Sequence, residues 1–431
     1  MKDNKKNHKL LVIAFHYPPD NTSTGVLRTL KFTEYLLRHG WVSEVVSVPE
    51  RLYYSKDPAS VSKIPEQIKV FRTWAADIKE LFGFRGIYPR LLAIPDRYWP
   101  WFFPACRQGG RLIRRDRPDV LYTTYPIPTA HLIGLYLKKR YGLPWVADFR
   151  DPWVEDSMPP WRRRFEGYLE AKVIRNADRV ICNTPAMRRF FLSRYPTLSA
   201  DKFVTITNGY DEPDFTSVTP EPIAKFEIFY SGVISGGNRN PRCLLAGVRW
   251  ALDRGWLTEE DLQITFLGCG AYGSSAEFRR DVAHHRLQSQ VVTVEARISY
   301  AQAINRAAGA AVLLVLSEPL GEGAEVEAER RWSHQQVPAK VYEYLRLGKP
   351  MLALVSGGAV AELLEQVQGG KPVAPADIEG IAAALRHYYE QRGLTSAEPA
   401  RVSDRIKSYS RESLTAQLAA ELDRLSDRPG E

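Results

Sequence analysis

The chain has 431 residues, 44% hydrophobic and 25% charged. That is the balance of a soluble globular protein, with length for two or three domains. Its longest apolar runs, residues 10–15 and 310–316, are strand-length and too short to span a bilayer. The four cysteines, Cys106, Cys182, Cys243 and Cys269, share no CxxC or Cys/His spacing, so free thiols are expected, with no disulfide framework and no metal site. The charge is unevenly spread: residues 1–215 hold 35 Lys and Arg against 23 Asp and Glu, net +12, and the remainder 24 against 27, net −3. A basic first half beside a mildly acidic second half suggests two domains with different partners.

Residues 1–6 are basic, but only about six apolar residues follow before the polar His16. No secretory leader is expected, and the cytoplasm is the expected compartment. Residues 9–15 read as a buried strand of an α/β sheet. A turn-rich loop over 16–25 leads into a helix carrying Leu27, Leu30, Phe32, Tyr35 and Leu36, which Gly40 ends. Gly25, at the mouth of that helix, allows close approach of backbone to a ligand or simply makes a tight turn. Residues 45–48 form the second strand. Residues 51–110 are less regular and rich in aromatics and arginine, and a helix with Arg107, Arg111, Arg114 and Arg115 follows. These letters suit the headgroup layer of an anionic membrane, or equally a packed core beneath a solvated helix face. No nucleic-acid recognition motif accompanies them.

Strand–helix alternation then resumes, with strands near 119–124, 144–149, 178–184 and 202–207. Asp148, Arg150 and Asp151 gather at the C-terminal end of one of them, where ligands of open α/β sheets bind. Residues 213–224 are rich in Pro and Thr and read as an interdomain linker. A second alternating series follows, with strands near 226–231, 262–267, 290–294, 310–316 and 351–355. The pattern predicts two parallel-sheet domains. The GxGxxG spelling at 268–273, with Glu295 beyond it, permits a dinucleotide fingerprint, although it sits after the domain's second strand. The stretch 319–336 is long for a connection and reads as a mobile flap. A short helix is predicted from Pro338 to Gly348, with Val341, Tyr344 and Leu345 facing a core and Glu343 pointing elsewhere. Its N-terminus offers free amides and a favourable dipole to an anion, and Lys340 in its first turn makes sense beside a phosphate. His16 and His131 read as lone structural histidines.

Several stretches carry a resemblance: Phe15-His16-Tyr17-Pro18-Pro19 with Gly25 and Arg28, the run Trp145 through Trp153, Asn208-Gly209-Tyr210-Asp211, Tyr230-Ser231-Gly232 with Arg239-Asn240-Pro241, and Pro338 through Leu345. In this order and spacing they resemble family 4 glycosyltransferases of the GT-B fold, in the branch that assembles bacterial surface polysaccharides. The resemblance implies two Rossmann-like domains facing a central cleft. Residues 1–215 would form a basic acceptor domain, 216–400 a nucleotide-sugar donor domain, and 401–431 a helix packing back toward the first. It implies transfer from a nucleoside-diphosphate sugar, a UDP-sugar by general frequency, to a glycan or polyprenyl-linked acceptor. No metal or other cofactor is implied, the anomeric configuration would be retained, and the inner membrane face would be the docking surface.

For the donor the resemblance implies Gly25, Gly232, Arg239, Arg297, Gln335, Ala339, Lys340 and Glu343. Glu343 would hold the ribose, while Lys340, Arg239 and the amides near Gly232 and Ala339 would hold the diphosphate. Gln335 stands where the family's first glutamate would be. Asp151, Asp148 and Arg150 are the catalytic candidates, Arg150 replacing a histidine found in many relatives. A nucleotide-sugar 2-epimerase of the same architecture and a non-catalytic membrane-recruited scaffold are the competing functions, told apart by donor turnover.

Overall fold

The computed structural model describes residues 8–22, 25–83, 90–221, 223–296, 298–392 and 403–427. The chain divides into two compact units, residues 1–208 with 411–431, and residues 209–410.

The first unit is built on a seven-stranded parallel sheet: β1 (His8–Ile13), β2 (Trp41–Ser47), β3 (Lys69–Arg72), β4 (Val120–Thr124), β5 (Trp145–Phe149), β6 (Arg179–Cys182) and β7 (Phe203–Thr205), in the order β3-β2-β1-β4-β5-β6-β7. Side chains alternate across a strand, so β1 serves two cores at once. Leu11 and Ile13 enter one apolar cluster, and Leu10 and Val12 the other. Burial on both faces is why these strands read as near-continuous apolar runs. Helix α1 (Gly25–Leu36) lies on one face; α2 (Phe102–Asp116), α3 (Pro128–Tyr141), α4 (Pro160–Asn176) and α5 (Pro185–Arg194) complete the series.

The C-terminal helix, Arg411–Ser426, packs in this same unit on α1. Its Leu414, Leu418, Leu422 and Leu425 recur at helical spacing and are all buried with Leu30 and Leu36. Each such leucine contributes about 1.5–3 kcal/mol by leaving water. Asp423 fastens its far end by accepting from Trp41 Nε1 at 2.8 Å.

The second unit has a six-stranded parallel sheet: β8 (Phe226–Ser231), β9 (Leu262–Leu267), β10 (Val291–Val294), β11 (Val312–Leu316), β12 (Met351–Leu354) and β13 (Lys371–Val373), in the order β10-β9-β8-β11-β12-β13. Its helices are α6 (Arg242–Asp253), α7 (Ala276–His284), α8 (Tyr300–Gly309), α9 (Ala324–Ser333), α10 (Ala339–Leu347), α11 (Gly358–Val367) and α12 (Ile378–Glu390). In both sheets the winding reverses once, between β1 and β4 and between β8 and β11. Crevices at such points, beyond the strands' C-terminal ends, are where open α/β sheets take ligands.

One expectation is corrected. Residues 213–224 are no free linker: Glu212–Phe215 make a turn, and Phe215 is buried with Tyr210 and Ile304 of the second unit. The Thr219 and Glu221 amides donate to Asn305. Residues 319–336, expected as a mobile flap, hold helix α9 in their middle. Glu325 and Glu327 in the first turn and Arg330 and Arg331 in the last suit the helix dipole. Glu318 pins the helix by accepting from Arg330 Nε at 2.9 Å and from the Ser356 amide at 2.6 Å.

Candidate active site

At the reversal point of the second sheet, β8 ends at Ser231 and the chain turns through Gly232 with φ of +130°. A side chain there is excluded twice, by that backbone and by Lys340, whose Nζ would lie 2.7 Å from an added Cβ. Lys340 stands in the first turn of α10, between the N-cap Pro338 and the left-handed Gly348. Its ammonium donates to the Ser231 carbonyl and sits 3.9 Å from the centre of the Tyr230 ring. Among the described residues no carboxylate lies within ion-pair distance of it. Burial, then the like charge of Arg239, push its pKa down to about 7, with Glu343 opposing them. Tyr344, one turn on, is buried, and its hydroxyl accepts from the Ser231 amide at 3.2 Å, fastening α10 to the end of β8.

Arg239 is exposed on the loop after β8, and the Ser235 amide and Asn240 side chain fold that loop on itself. Glu343 is buried in α10 rather than turned away from the core, and Tyr300 Oη donates to it at 2.9 Å. Gly232, Arg239, Lys340 and Glu343 are thus brought together. The Gly232 amide, however, donates to Leu267 O at 2.8 Å, so it is engaged within the sheet and does not supply the anion contact expected of it. Ala339 opens α10. Gln335, just past the end of α9, turns back and donates to Arg331 O of that helix at 3.1 Å. Arg297 lies outside the described residues. The GxGxxG loop places Gly268 and Gly270 at positive φ, and an added Cβ on Gly273 would lie 2.3 Å from Cys269 Sγ, so its glycines answer to local packing.

At the reversal point of the first sheet, Gly25 opens α1 and lies directly against Arg150. A Cβ on Gly25 would fall 1.7–1.9 Å from the guanidinium, so only glycine lets the arginine rest there. Arg150 is buried and donates to Tyr125 O at 3.3 Å; burial lowers its pKa against the opposing charges of Asp151 and Asp148. Asp151 is half-buried, and desolvation raises its carboxyl above the usual range in spite of Arg150. Its loop is stapled down by two carboxylates that the sequence did not single out. Glu166 accepts from Trp153 Nε1 at 2.8 Å, and Glu170 from the Val154 amide at 3.2 Å and Tyr195 Oη at 2.7 Å.

Asp148 is corrected. It is wholly buried and accepts from Arg28 Nε at 3.1 Å and Nη2 at 2.9 Å, Tyr122 Oη at 2.6 Å and Thr124 Oγ1 at 3.1 Å. Burial alone would raise its pKa, yet the Arg28 charge and these bonds hold it below the usual range. Its acceptor capacity is filled and solvent is excluded, so it fastens α1 to β5 and is no base for an incoming hydroxyl.

The two histidines part company. His131 is buried, bonded to Thr123 Oγ1 at 2.7 Å, and burial pushes its pKa down to about 3, so it is neutral packing. His16 is not alone in apolar surroundings, because its Nδ1 lies 2.5 Å from Asp20 Oδ2. The signal was a histidine with an aspartate four residues on in a loop.

Residues 25–209 match the family model described as a glycosyl transferase 4-like domain. No curated protein matches the sequence. Among solved structures, a glycosyltransferase from Rickettsia africae is similar with a TM-score of 0.67 at 15% identity, over 99% of this chain and 100% of that one. Sucrose-phosphate synthase from Thermosynechococcus elongatus gives 0.64 at 15% identity, over 97% and 99%. Anabaena HepE in complex with UDP gives 0.63 at 15%, over 96% and 100%. Two Rossmann-like parallel-sheet units and these likenesses define the GT-B fold. More particularly, residues 25–209 of the first unit are similar to a glycosyl transferase 4-like domain.

Proposed function

We propose that the protein moves a hexosyl group from a nucleoside-diphosphate sugar to a glycan or polyprenyl-linked acceptor in bacterial exopolysaccharide, capsule or O-antigen assembly, without a metal. The observation that carries this is Lys340, a cation held at a sheet reversal point with a carbonyl and a ring face but, among the described residues, no carboxylate within ion-pair distance. Breaking a sugar–phosphate bond leaves negative charge on the departing diphosphate. Lys340, Arg239 and the amides opening α10 at Ala339 are the groups that would stabilise it, while Glu343, steadied by Tyr300, would accept from the ribose hydroxyls. The donor thus belongs to the second unit and acceptor chemistry, with Asp151 and Arg150, to the first. A uridine nucleotide is the favoured donor base, in keeping with HepE, whose structures hold UDP and UDP-glucose.

Peripheral docking on an anionic inner-membrane face belongs to the same proposal. No described helix is long and apolar enough to cross a membrane. Adjacent helices α2, α3 and α4 expose Phe103, Tyr136, Trp161, Phe165 and Tyr168, whereas Tyr98 and Trp101 are buried in the core. Arg114, Arg115 and Arg162 are bonded to Tyr141, Glu44 and Glu166, but Arg163 and Arg164 are exposed and have no partner among the described residues. Flotation with anionic vesicles is expected to weaken when Arg163 and Arg164 are reversed to Glu; unchanged binding overturns docking through this face.

A thermal-shift panel of nucleoside diphosphates and nucleotide sugars tests the donor site. Stabilisation of the wild type and its loss in Glu343→Ala are expected. A wild type that no nucleotide stabilises contradicts the reading.

A further inference from the structure

Between α9 and α10 the chain passes through a turn that the second unit fixes from several sides. The His334 carbonyl accepts from the Ala359 amide at 2.8 Å, in the first turn of α11, and an added Cβ on Gly358 would lie 2.6 Å from His334 Cα. His334 Nε2 lies 3.3 Å from Glu318 Oε2, on the carboxylate that also holds Arg330 and Ser356. Ser333 and Val337 anchor the turn by being buried. On its way to the turn α9 passes the loop that carries Arg239, since an added Cβ on Gly237 would lie 3.8 Å from Glu329 Oε1. The turn therefore adjoins both the Arg239 loop and the opening of α10 with Lys340.

Two side chains of this turn are left short of partners. The amides of Gln335 and Gln336 bond back to Trp332 O and Ser333 O, each at 3.1 Å, so the coil continues past α9 and Trp332 and Gln336 stand about one turn apart. Each side chain is half-buried as a whole, yet Trp332 Nε1 and Gln336 Nε2 are shut off from solvent without a hydrogen-bond partner among the described residues. A buried N–H left unpaired costs its full desolvation, and ordinary packing avoids even one. The neighbouring acceptors do not answer them. Glu318 is spent on Arg330, Ser356 and His334, and the Gln335 side chain is turned back onto Arg331 O.

We infer that Trp332 and Gln336 read the sugar being transferred, and that they select a hexosyl group bearing a carbonyl or carboxylate oxygen, as an N-acylamino sugar or a hexuronic acid does. The inference rests on the nucleotide-sugar reading above and names the sugar class for that same site. The sugar is bonded directly to the diphosphate, so a donor whose phosphates meet Lys340 and Arg239 brings its sugar to this turn. Two N–H donors suit an oxygen with two lone pairs and no hydrogen of its own, whereas a hydroxyl must also place its proton. A site built to donate discriminates against the analogue lacking the acceptor, because its dry N–H groups then stay unpaired. The neutral Gln335 matters for the second kind of sugar: a glutamate there would repel a uronate, and an amide does not.

The test is titration calorimetry on the full chain with UDP, UDP-glucose, UDP-N-acetylglucosamine and UDP-glucuronate. At least one of the last two is expected to bind about tenfold or more tightly than UDP-glucose. A preference for the glucuronate that fades with added salt identifies a carboxylate as the group read, and a salt-independent preference for the acetamido sugar identifies a carbonyl. Trp332→Phe and Gln336→Leu each remove one N–H, and loss of most of the preference in either, with UDP affinity unchanged, supports the inference. Melting profiles of the unliganded variants are expected to match or exceed the wild type, since an unpaired donor has gone; a role in packing alone would lower them and leave the preference intact. UDP-glucose binding as tightly as both other sugars, or a preference that survives both substitutions, overturns the inference while UDP binding still stands. A wild type that binds none of the four removes the uridine-donor reading, and this inference with it.

Discussion

The two sheet reversal points each hold a charge drawn out of water, Asp148 wholly buried and Lys340 half-buried, and the molecule treats them oppositely. Asp148 is met by a bidentate arginine, a tyrosine and a threonine, leaving nothing for a ligand. Lys340 is met by one carbonyl and a ring face, and Arg239 repels it. A charge satisfied by its own fold serves architecture; a charge left short of counter-anion is poised for one from outside. The contrast separates two neighbourhoods that look alike on paper, since both were candidate site motifs at strand ends.

Breaking the architectural side has the largest expected effect. Asp148→Ala leaves Arg28 buried without its carboxylate and is expected to cost about 3–5 kcal/mol of unfolding free energy, measured by denaturant unfolding. Lys340→Met is expected to do the reverse. Its unliganded stability at neutral pH is unchanged or higher, because a desolvated charge has been removed, while affinity for a nucleoside diphosphate falls about 10- to 100-fold. A Lys340→Met protein as unstable as Asp148→Ala would erase the distinction.

A pH series sharpens the contrast. The pKa of Lys340 in the fold, about 7, lies below its ordinary 10.5, so between those values the unfolded chain binds the extra proton. Stability of the wild type is therefore expected to rise with pH across that window, the burial penalty being full below pH 7 and gone above 10.5. Urea unfolding from pH 6 to 10 checks this, and Lys340→Met should flatten the rise. Smallest is the ribose contact. Glu343→Gln is expected to weaken UDP about tenfold and 2′-deoxy-UDP less; an equal loss for both would take the ribose away from Glu343.

Helix α10 was legible because Val341, Tyr344 and Leu345 repeat at helical spacing between Pro338 and Gly348. The inner strands of both sheets were legible because they are buried on two faces, whereas the edge strands β3 and β13, largely exposed or half-buried, were missed. Helix α9 was hidden: its charged residues dominate the segment, and the Glu318 anchor that holds it bonds to Ser356, far along the chain. The Arg28–Asp148 pair spans 120 residues, and the Gly25–Arg150 contact depends on a missing side chain. Neither has a periodicity to betray it. His16 and Asp20 were close enough in sequence to be read, but only coordinates show that the aspartate is buried and the ring bound to it.

The central claim is that Lys340 awaits the diphosphate of a nucleotide sugar. UDP-glucose has no phosphate titrating near neutrality, so protons taken up on binding report on the protein. Titration calorimetry at pH 8 in two buffers of different ionisation enthalpy is expected to show the wild type taking up close to one proton, with affinity weakening as pH rises. Lys340→Met should take up none. Proton uptake equal in the two proteins, or absent from a wild type that binds, would contradict the account.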